Sequence, residues 1–235
     1  MTEAVLEGLS QAAAAVGLLL RGGFHCRPDD QVPDLPDGRP AASLVLLGNA
    51  GGSLWPAFSD APELRDGAAD PLDRWSARVI ADLAERFDAA ALFPFGGPPY
   101  RPFQRWALRA ESLASSPLGM LIHPTYGLWH AYRGALAFGD VIPLPPPETA
   151  PSPCETCAEK PCLSACPVGA FDGTGYNVPA CVKHLASEAG RDCMTGSCLA
   201  RRACPVGQAY RYEAAQAGFH MEVFLAARLK AMETT

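Results

Sequence analysis

Eight of the nine cysteines crowd into the stretch from Cys154 to Cys204, and only Cys26 stands apart. The first run is Cys154-x2-Cys157-x4-Cys162-x3-Cys166-Pro167. The second is Cys181, then Cys193-x4-Cys198-x5-Cys204-Pro205, and each run ends in Cys-Pro-Val-Gly. In a reducing compartment such crowding points to metal before disulfides. A cubane cluster needs four thiolates around one small volume: a tight loop supplies three and a distant cysteine closes the fourth corner. In two-cluster ferredoxins the cysteine before proline ligates the other cluster. On that scheme Cys154, Cys157, Cys162 and Cys204 hold one [4Fe–4S] cluster, and Cys166, Cys181, Cys193 and Cys198 hold a second. No thiol of the eight is left over. The spacings depart from the usual bacterial x2, x2, x3 run, once in the first run and twice in the second. Structural zinc and a disulfide scaffold are the competing uses, although zinc sites usually show well-separated Cys-x2-Cys pairs without Cys-Pro. Cys26 has no supporting motif and reads as a buried, inert thiol.

A second group of candidates lies at Gly119–Gly134, Gly-Met-Leu-Ile-His-Pro-Thr-Tyr-Gly-Leu-Trp-His-Ala-Tyr-Arg-Gly. A residue before proline avoids the helical region, so His123 is expected in an extended turn between two strands. That turn would put His123, Tyr126 and Trp129 at the rim of one pocket. Taken alone, His123 reads sooner as a satisfied core histidine, Tyr126 and Trp129 as core aromatics, and Arg133 equally as half of a surface ion pair; His130 reads as structural. The loop Gly48–Trp55 could bind an anion through backbone N–H groups. It lacks the P-loop and dinucleotide fingerprints, which leaves a tight turn. Phe93–Tyr100 is a rigid aromatic stretch suited to a cofactor mouth or a core cap.

The elements that must position these groups are legible in outline. Glu3–Val16 has helical spacing, with Gly22-Gly23 as its expected stop. Ser43–Leu47 suits a buried strand. Asp70-Pro71 opens a helix carrying Trp75, Val79, Ile80, Leu83 and Phe87 on one face. Ala90–Phe95 reads as a strand, Pro102 to about Ser112 as a helix, and 119–123 and 129–138 as two strands. Six prolines between Ile142 and Cys154 cannot be helix interior and set a boundary, giving a domain at 1–147 and a cysteine-rich domain at 148–235. The latter has short helices near 179–189 and 210–232. The class is α+β.

Composition narrows the field. With 49% hydrophobic and 19% charged residues among 235, and a mean hydropathy of +0.03, the chain is not disordered. A net charge of −6 gives no basic field for phosphates, so no nucleic-acid partner is expected. The longest apolar run, Ala12–Leu20, is far short of the roughly 20 residues of a membrane span. The acidic first residues do not read as an export leader, and a cytoplasmic location is expected.

The two-cluster pattern, with a lone cysteine in Cys181-Val-Lys-His-Leu, resembles the ferredoxin-like part of epoxyqueuosine reductases and reductive dehalogenases, both cobalamin enzymes. The segment Gly119–Gly134 resembles the hallmark of the cytosolic cobalamin-processing chaperones that decyanate and dealkylate vitamin B12: His-Pro, two residues, Gly-Gly-Trp, then a strand with Arg-Gly. A weaker likeness runs over residues 5 to 147. The resemblance implies a nitroreductase-like core with a C-terminal ferredoxin-like 2[4Fe–4S] domain. It also implies corrin contacts from His123, Tyr126, Gly127, Trp129 and Arg133. Leu128 stands where that family has its second glycine. The function implied is an oxidoreductase that takes electrons from an external low-potential donor and relays them singly through two clusters to a corrin cobalt. The target is then the cobalamin itself or a small substrate. Because the chain is short, acidic and without a leader, tRNA modification and respiratory dehalogenation fit it less well. A plain two-cluster electron carrier, or a reductase holding FMN on the same core, is the alternative.

Overall fold

The structure is a computed structural model and describes residues 2 to 233. Its chain forms two compact units that it enters and leaves more than once. The first comprises residues 1–112 and 130–150, and the second 113–129 and 151–235. The sequence suggests a single crossing in the proline run. In the structure residues 113–129, the segment with the His-Pro motif, pack with the cysteines.

The first unit is built on a four-stranded antiparallel sheet. In chain order its elements are α1 (Thr2–Ala15), β1 (Leu19–His25), β2 (Ser43–Ala50), α2 (Trp55–Ser59), α3 (Pro62–Arg65), α4 (Pro71–Arg86), β3 (Ala90–Leu92) and α5 (Phe103–Ala110). The long strand His130–Phe138 completes the sheet. It is β6, because two short strands of the second unit, β4 (Ala114–Ser115) and β5 (Leu121–Ile122), precede it. The sheet order is β1-β2-β6-β3. Every residue of β2 is buried, which is why its Leu44–Leu47 run shows no alternation. Helices α1 and α5 pack on β1, and α4 on β6 and β3.

Gly22-Gly23 does not end a helix. The helix stops at Ala15, Gly17 turns the chain at φ +74°, and both glycines lie inside β1. Gly22 has φ +66°, and the β1–β2 register slips between Leu20 and Gly23, as a bulge does. The Arg133-Gly134 pair fastens α4 to the sheet. Arg133 donates to Asp73 at 2.5 Å and to the Ser76 hydroxyl at 3.0 Å, while a Cβ at Gly134 would lie 2.7 Å from Ile80 Cδ1. The Gly48–Trp55 loop proves to be the end of β2 and a tight turn.

One charge is fully enclosed in this unit. Arg21, 1% exposed, forks onto both oxygens of Glu111 (2.9 and 2.7 Å) and reaches the Asn49 carbonyl (3.1 Å) and His130 Nδ1 (3.2 Å). The Tyr132 hydroxyl donates to Glu111, and burial keeps that phenol protonated far above neutral pH. Removing one partner of a buried pair strands the other and costs about 3–5 kcal/mol. Glu111→Ala should lower unfolding stability by that amount in urea denaturation. Arg21→Met with Glu111→Leu should recover most of it. A Glu111→Ala effect within experimental error of wild type would contradict the enclosure.

Candidate functional site

The second unit consists of β4 and β5, paired as a two-stranded ribbon, and six helices: α6 (Pro153–Thr156), α7 (Pro161–Ser164), α8 (Val178–Leu185), α9 (Arg191–Gly196), α10 (Leu199–Arg202) and α11 (Ala214–Glu233). The first five are short because prolines, glycines and the cysteine loops keep interrupting them. The eight cysteines fall on or beside them and surround two separate spaces. A small one, about 20 Å³, has Cys154, Cys157, Cys162 and Cys204 in its wall, with Pro205 and Ile122. A larger one, about 340 Å³, has Cys166, Cys181, Cys193 and Cys198, with Phe171, Tyr176 and Phe224. The cysteine of each Cys-Pro pair thus stands in a wall with thiols of the other run. Among the described residues no three His, Cys, Asp or Glu side chains converge on a point that one metal ion could share.

The electrostatics divide the thiols the same way. Desolvation is the largest cause holding Cys154, Cys162, Cys181, Cys193, Cys198 and Cys204 above the ordinary thiol range, and like charge from neighbouring thiolates adds to it. Cys154 feels Cys157, Cys162 and Cys204. Cys181 feels Cys166 and Cys193, and Cys198 feels Cys166 and Cys181. Apolar burial of so many acidic thiols favours the protonated form until a cation displaces the protons. Several sulfurs already receive donors. The Ala170 N–H lies 3.3 Å from Cys166 Sγ, backbone N–H groups of Leu199, Ala200 and Arg201 serve Cys193 and Cys198, that of Val206 serves Cys204, and the Tyr176 phenol serves Cys181. Donor sets of this kind, four thiols with N–H groups on the sulfurs, fit iron–sulfur clusters. Cys26 takes no part: it lies in the first unit, and burial pushes its thiol up to about 11, so it is protonated and unreactive at neutral pH.

The His-Pro segment has a role the sequence does not disclose. His123 and Gly127 bond reciprocally through their backbones, each N–H to the other's carbonyl at 2.9 Å, which closes a tight turn. His123 Nδ1 accepts from the N–H groups of Thr125 (3.0 Å) and Tyr126 (3.2 Å), and its ring stacks on Tyr126. Gly127 (φ +58°) and Gly207 (φ +75°) then meet backbone to backbone. A Cβ at Gly127 would fall 2.1 Å from the Val206 carbonyl oxygen, and one at Gly207 would fall 2.2 Å from that of Tyr126. The turn is thus clasped to the Cys204-Pro205-Val206-Gly207 loop. Next to the clasp, Arg201 donates twice to the Leu128 carbonyl (3.1 and 2.7 Å) and lies over the Trp129 ring at 4.2 Å.

Leu128 is no misfit in a cofactor cradle. It is 3% exposed and packs in one apolar cluster with Leu118, Ile122, Cys162, Phe171, Ala200 and Cys204. Glycine there would remove a core side chain, at about 2–5 kcal/mol for loss of a buried leucine. Of the five residues matched to corrin contacts, Gly127 and Trp129 are buried within the second unit, and Arg133 lies in the first, paired with Asp73. His123 and Tyr126 are half-buried.

At the level of sequence no protein family matches this chain, and neither does any curated protein. Solved structures do resemble its fold. A C. elegans B12-trafficking protein, CblC, superposes with a TM-score of 0.54 at 13% identity, over 95% of both chains. A selenomethionine-labelled epoxyqueuosine reductase gives 0.52 at 17% identity over 91% of this chain and 68% of that one, and the Bacillus subtilis epoxyqueuosine reductase gives 0.50 at 18% over 90% and 67%. The class so defined is a mixed α+β fold with a small antiparallel sheet, shared with these proteins. No helix among the described residues is long and apolar enough to cross a membrane.

Gly127→Ala should displace the Cys204 loop and reduce whatever metal the Cys154 set binds by half or more, read as bound metal per chain. Gly119→Ala is the control, since Gly119 also has a positive φ (+75°) but open space around it; it should leave binding unchanged. Equal effects of the two would mean that backbone strain, and not the clasp, matters.

Proposed function

We propose that this protein is an iron–sulfur oxidoreductase that holds two [4Fe–4S] clusters and passes electrons one at a time to a corrin. The carrying observation is the pair of cavities, each with four thiols in its wall. Cys154, Cys157, Cys162 and Cys204 are the ligands of one cluster, and Cys166, Cys181, Cys193 and Cys198 those of the other. Four thiols that share a wall without converging on one point suit a cubane, in which each thiolate binds its own iron. One zinc ion would need sulfurs about 3.8 Å apart around a point, from the tetrahedral geometry and bond length of zinc thiolates. When bound, thiolate-ligated cubanes supply one-electron transfer at low potential. The chain itself supplies burial, the N–H donors on the sulfurs and the clasp that fixes Cys204.

The corrin partner and the description of the units as a nitroreductase-like core and a ferredoxin-like domain belong to this proposal. The fold shared with a B12-trafficking protein supports them, as does the His-Pro segment. His123 and Tyr126 are the residues through which a corrin would be met. An external low-potential donor, a small-molecule target and a cytoplasmic site of action complete the reading. A second reading, a two-cluster electron carrier with FMN or no further cofactor, is favoured by one observation: Gly127, Trp129 and Arg133 are already engaged by the chain.

Two measurements decide. Anaerobically reconstituted protein should contain close to eight irons and eight acid-labile sulfides per chain, two clusters of four. Cys204→Ala should lose the cluster of Cys154, Cys157 and Cys162 while the other persists. Stoichiometric zinc without sulfide, or loss of the second cluster alone, would contradict the scheme. Separately, protein mixed with hydroxocobalamin or FMN and desalted should retain cobalamin with a shifted visible spectrum, and His123→Ala should weaken that retention. Retention of FMN alone, or of neither, would favour the electron carrier.

A further inference from the structure

Tyr176, His184, Ser197, Arg201 and His220 stand in the wall of the larger cavity outside the proposed ligand set, and His184 is the one of them with a buried nitrogen that the protein leaves unbonded. His184 lies on α8 three residues after Cys181, so the two side chains share a helix face. It lines the cavity together with Cys166, Cys181, Cys193 and Cys198. Its Nε2 is buried and has no hydrogen-bond partner in the protein. A buried nitrogen left in that state is costly to the fold. Folds tolerate such atoms chiefly where an ordered water, an ion or a ligand supplies the missing partner. Much of the surrounding wall is Leu118, Leu185, Leu199, Phe171 and Phe224, none of which offers a side-chain acceptor. The Ser197 and Tyr176 hydroxyls stand in the same wall but neither bonds this nitrogen, which leaves what fills the cavity as its partner.

We infer that His184 donates a hydrogen bond from Nε2–H to a sulfur of the cluster held by Cys166, Cys181, Cys193 and Cys198, and that this bond raises the cluster's reduction potential. The inference rests on the cluster assignment proposed above. Reduction adds one negative charge to the cluster, spread over its irons and sulfurs. An N–H dipole pointed at a sulfur stabilises the reduced form more than the oxidised one. No histidine stands in the wall of the smaller cavity, so the effect is confined to one cluster. His184 is a positioning residue here and not an iron ligand, because four thiols already complete the set.

The test is a redox titration of the anaerobic holoprotein followed by electron paramagnetic resonance, in wild type, His184→Leu and His184→Gln. His184→Leu should make one midpoint more negative and leave the other in place. A tenfold loss of preference for the reduced form reads as 59 mV for a one-electron couple. The amide N–H of His184→Gln should restore part of the shift. Wild-type protein labelled with 15N-histidine should show a weak nitrogen coupling to one reduced cluster, which keeps the test decisive even if the leucine variant folds poorly. Unchanged midpoints in His184→Leu with both clusters present would overturn the inference, and so would a coupling strong enough for direct iron ligation. Iron analysis showing no cluster in the wild type would instead remove the cluster assignment on which it rests.

Discussion

Gathering eight thiols, three of them buried and five half-buried, in one small unit imposes a condition on everything around them. Six of them lie above the ordinary thiol range, first through desolvation and then through neighbouring thiolates. The arrangement makes physical sense when cations take the protons' place. The unit follows from that condition. Its first five helices are short, which lets loops bring sulfurs inward, backbone N–H groups are aimed at the sulfurs, and one hydrophobic cluster touches thiols of both sets. Cys162 and Cys204 are core members of that cluster, and Cys154, Cys166, Cys181 and Cys198 pack against it. A metal held by these thiols would therefore be tied to the same core.

The position of Cys204 depends on a backbone contact and not on side-chain packing alone. Gly127 and Gly207 both take left-handed conformations, and each occupies space that a side chain on the other would need. Arg201 reinforces the clasp through the Leu128 carbonyl and the Trp129 ring. The other Cys-Pro-Val-Gly loop also carries a left-handed glycine, Gly169, yet nothing lies within 4 Å of where its Cβ would be. Two copies of one motif thus do different work: one turns freely, and the other is held by a segment that precedes it by about 80 residues in the chain.

Much of this was readable from the residues. The crossed grouping of the cysteines was proposed from their spacing and from proline after Cys166 and Cys204, by the rule that two-cluster ferredoxins follow, and the same two groups stand in the walls of the two cavities. The helix opened by Asp70-Pro71 and the buried β2 were legible for equally local reasons. The missed features depend on distant partners. Nothing in Leu19–His25 marks a strand when Gly22 and Gly23 interrupt its pattern; the bulge that uses them exists only against β2. The allegiance of residues 113–129 was hidden as well, since the proline run is a conspicuous boundary and a returning segment carries none. Leu128 was the available signal, an apolar residue beside a glycine with Leu118 and Ile122 upstream. Arg201 and His184 had no local signature, being defined by the ring above one and the cavity beside the other.

The central claim is that two interlocked four-thiol sites each hold a cubane. Anomalous diffraction at the iron edge from anaerobically grown crystals tests it most directly. The account predicts two compact groups of iron, one touching the sulfurs of Cys154, Cys157, Cys162 and Cys204 and the other those of Cys166, Cys181, Cys193 and Cys198. Single-atom peaks, or Cys204 coordinating iron together with Cys193 and Cys198, would contradict it.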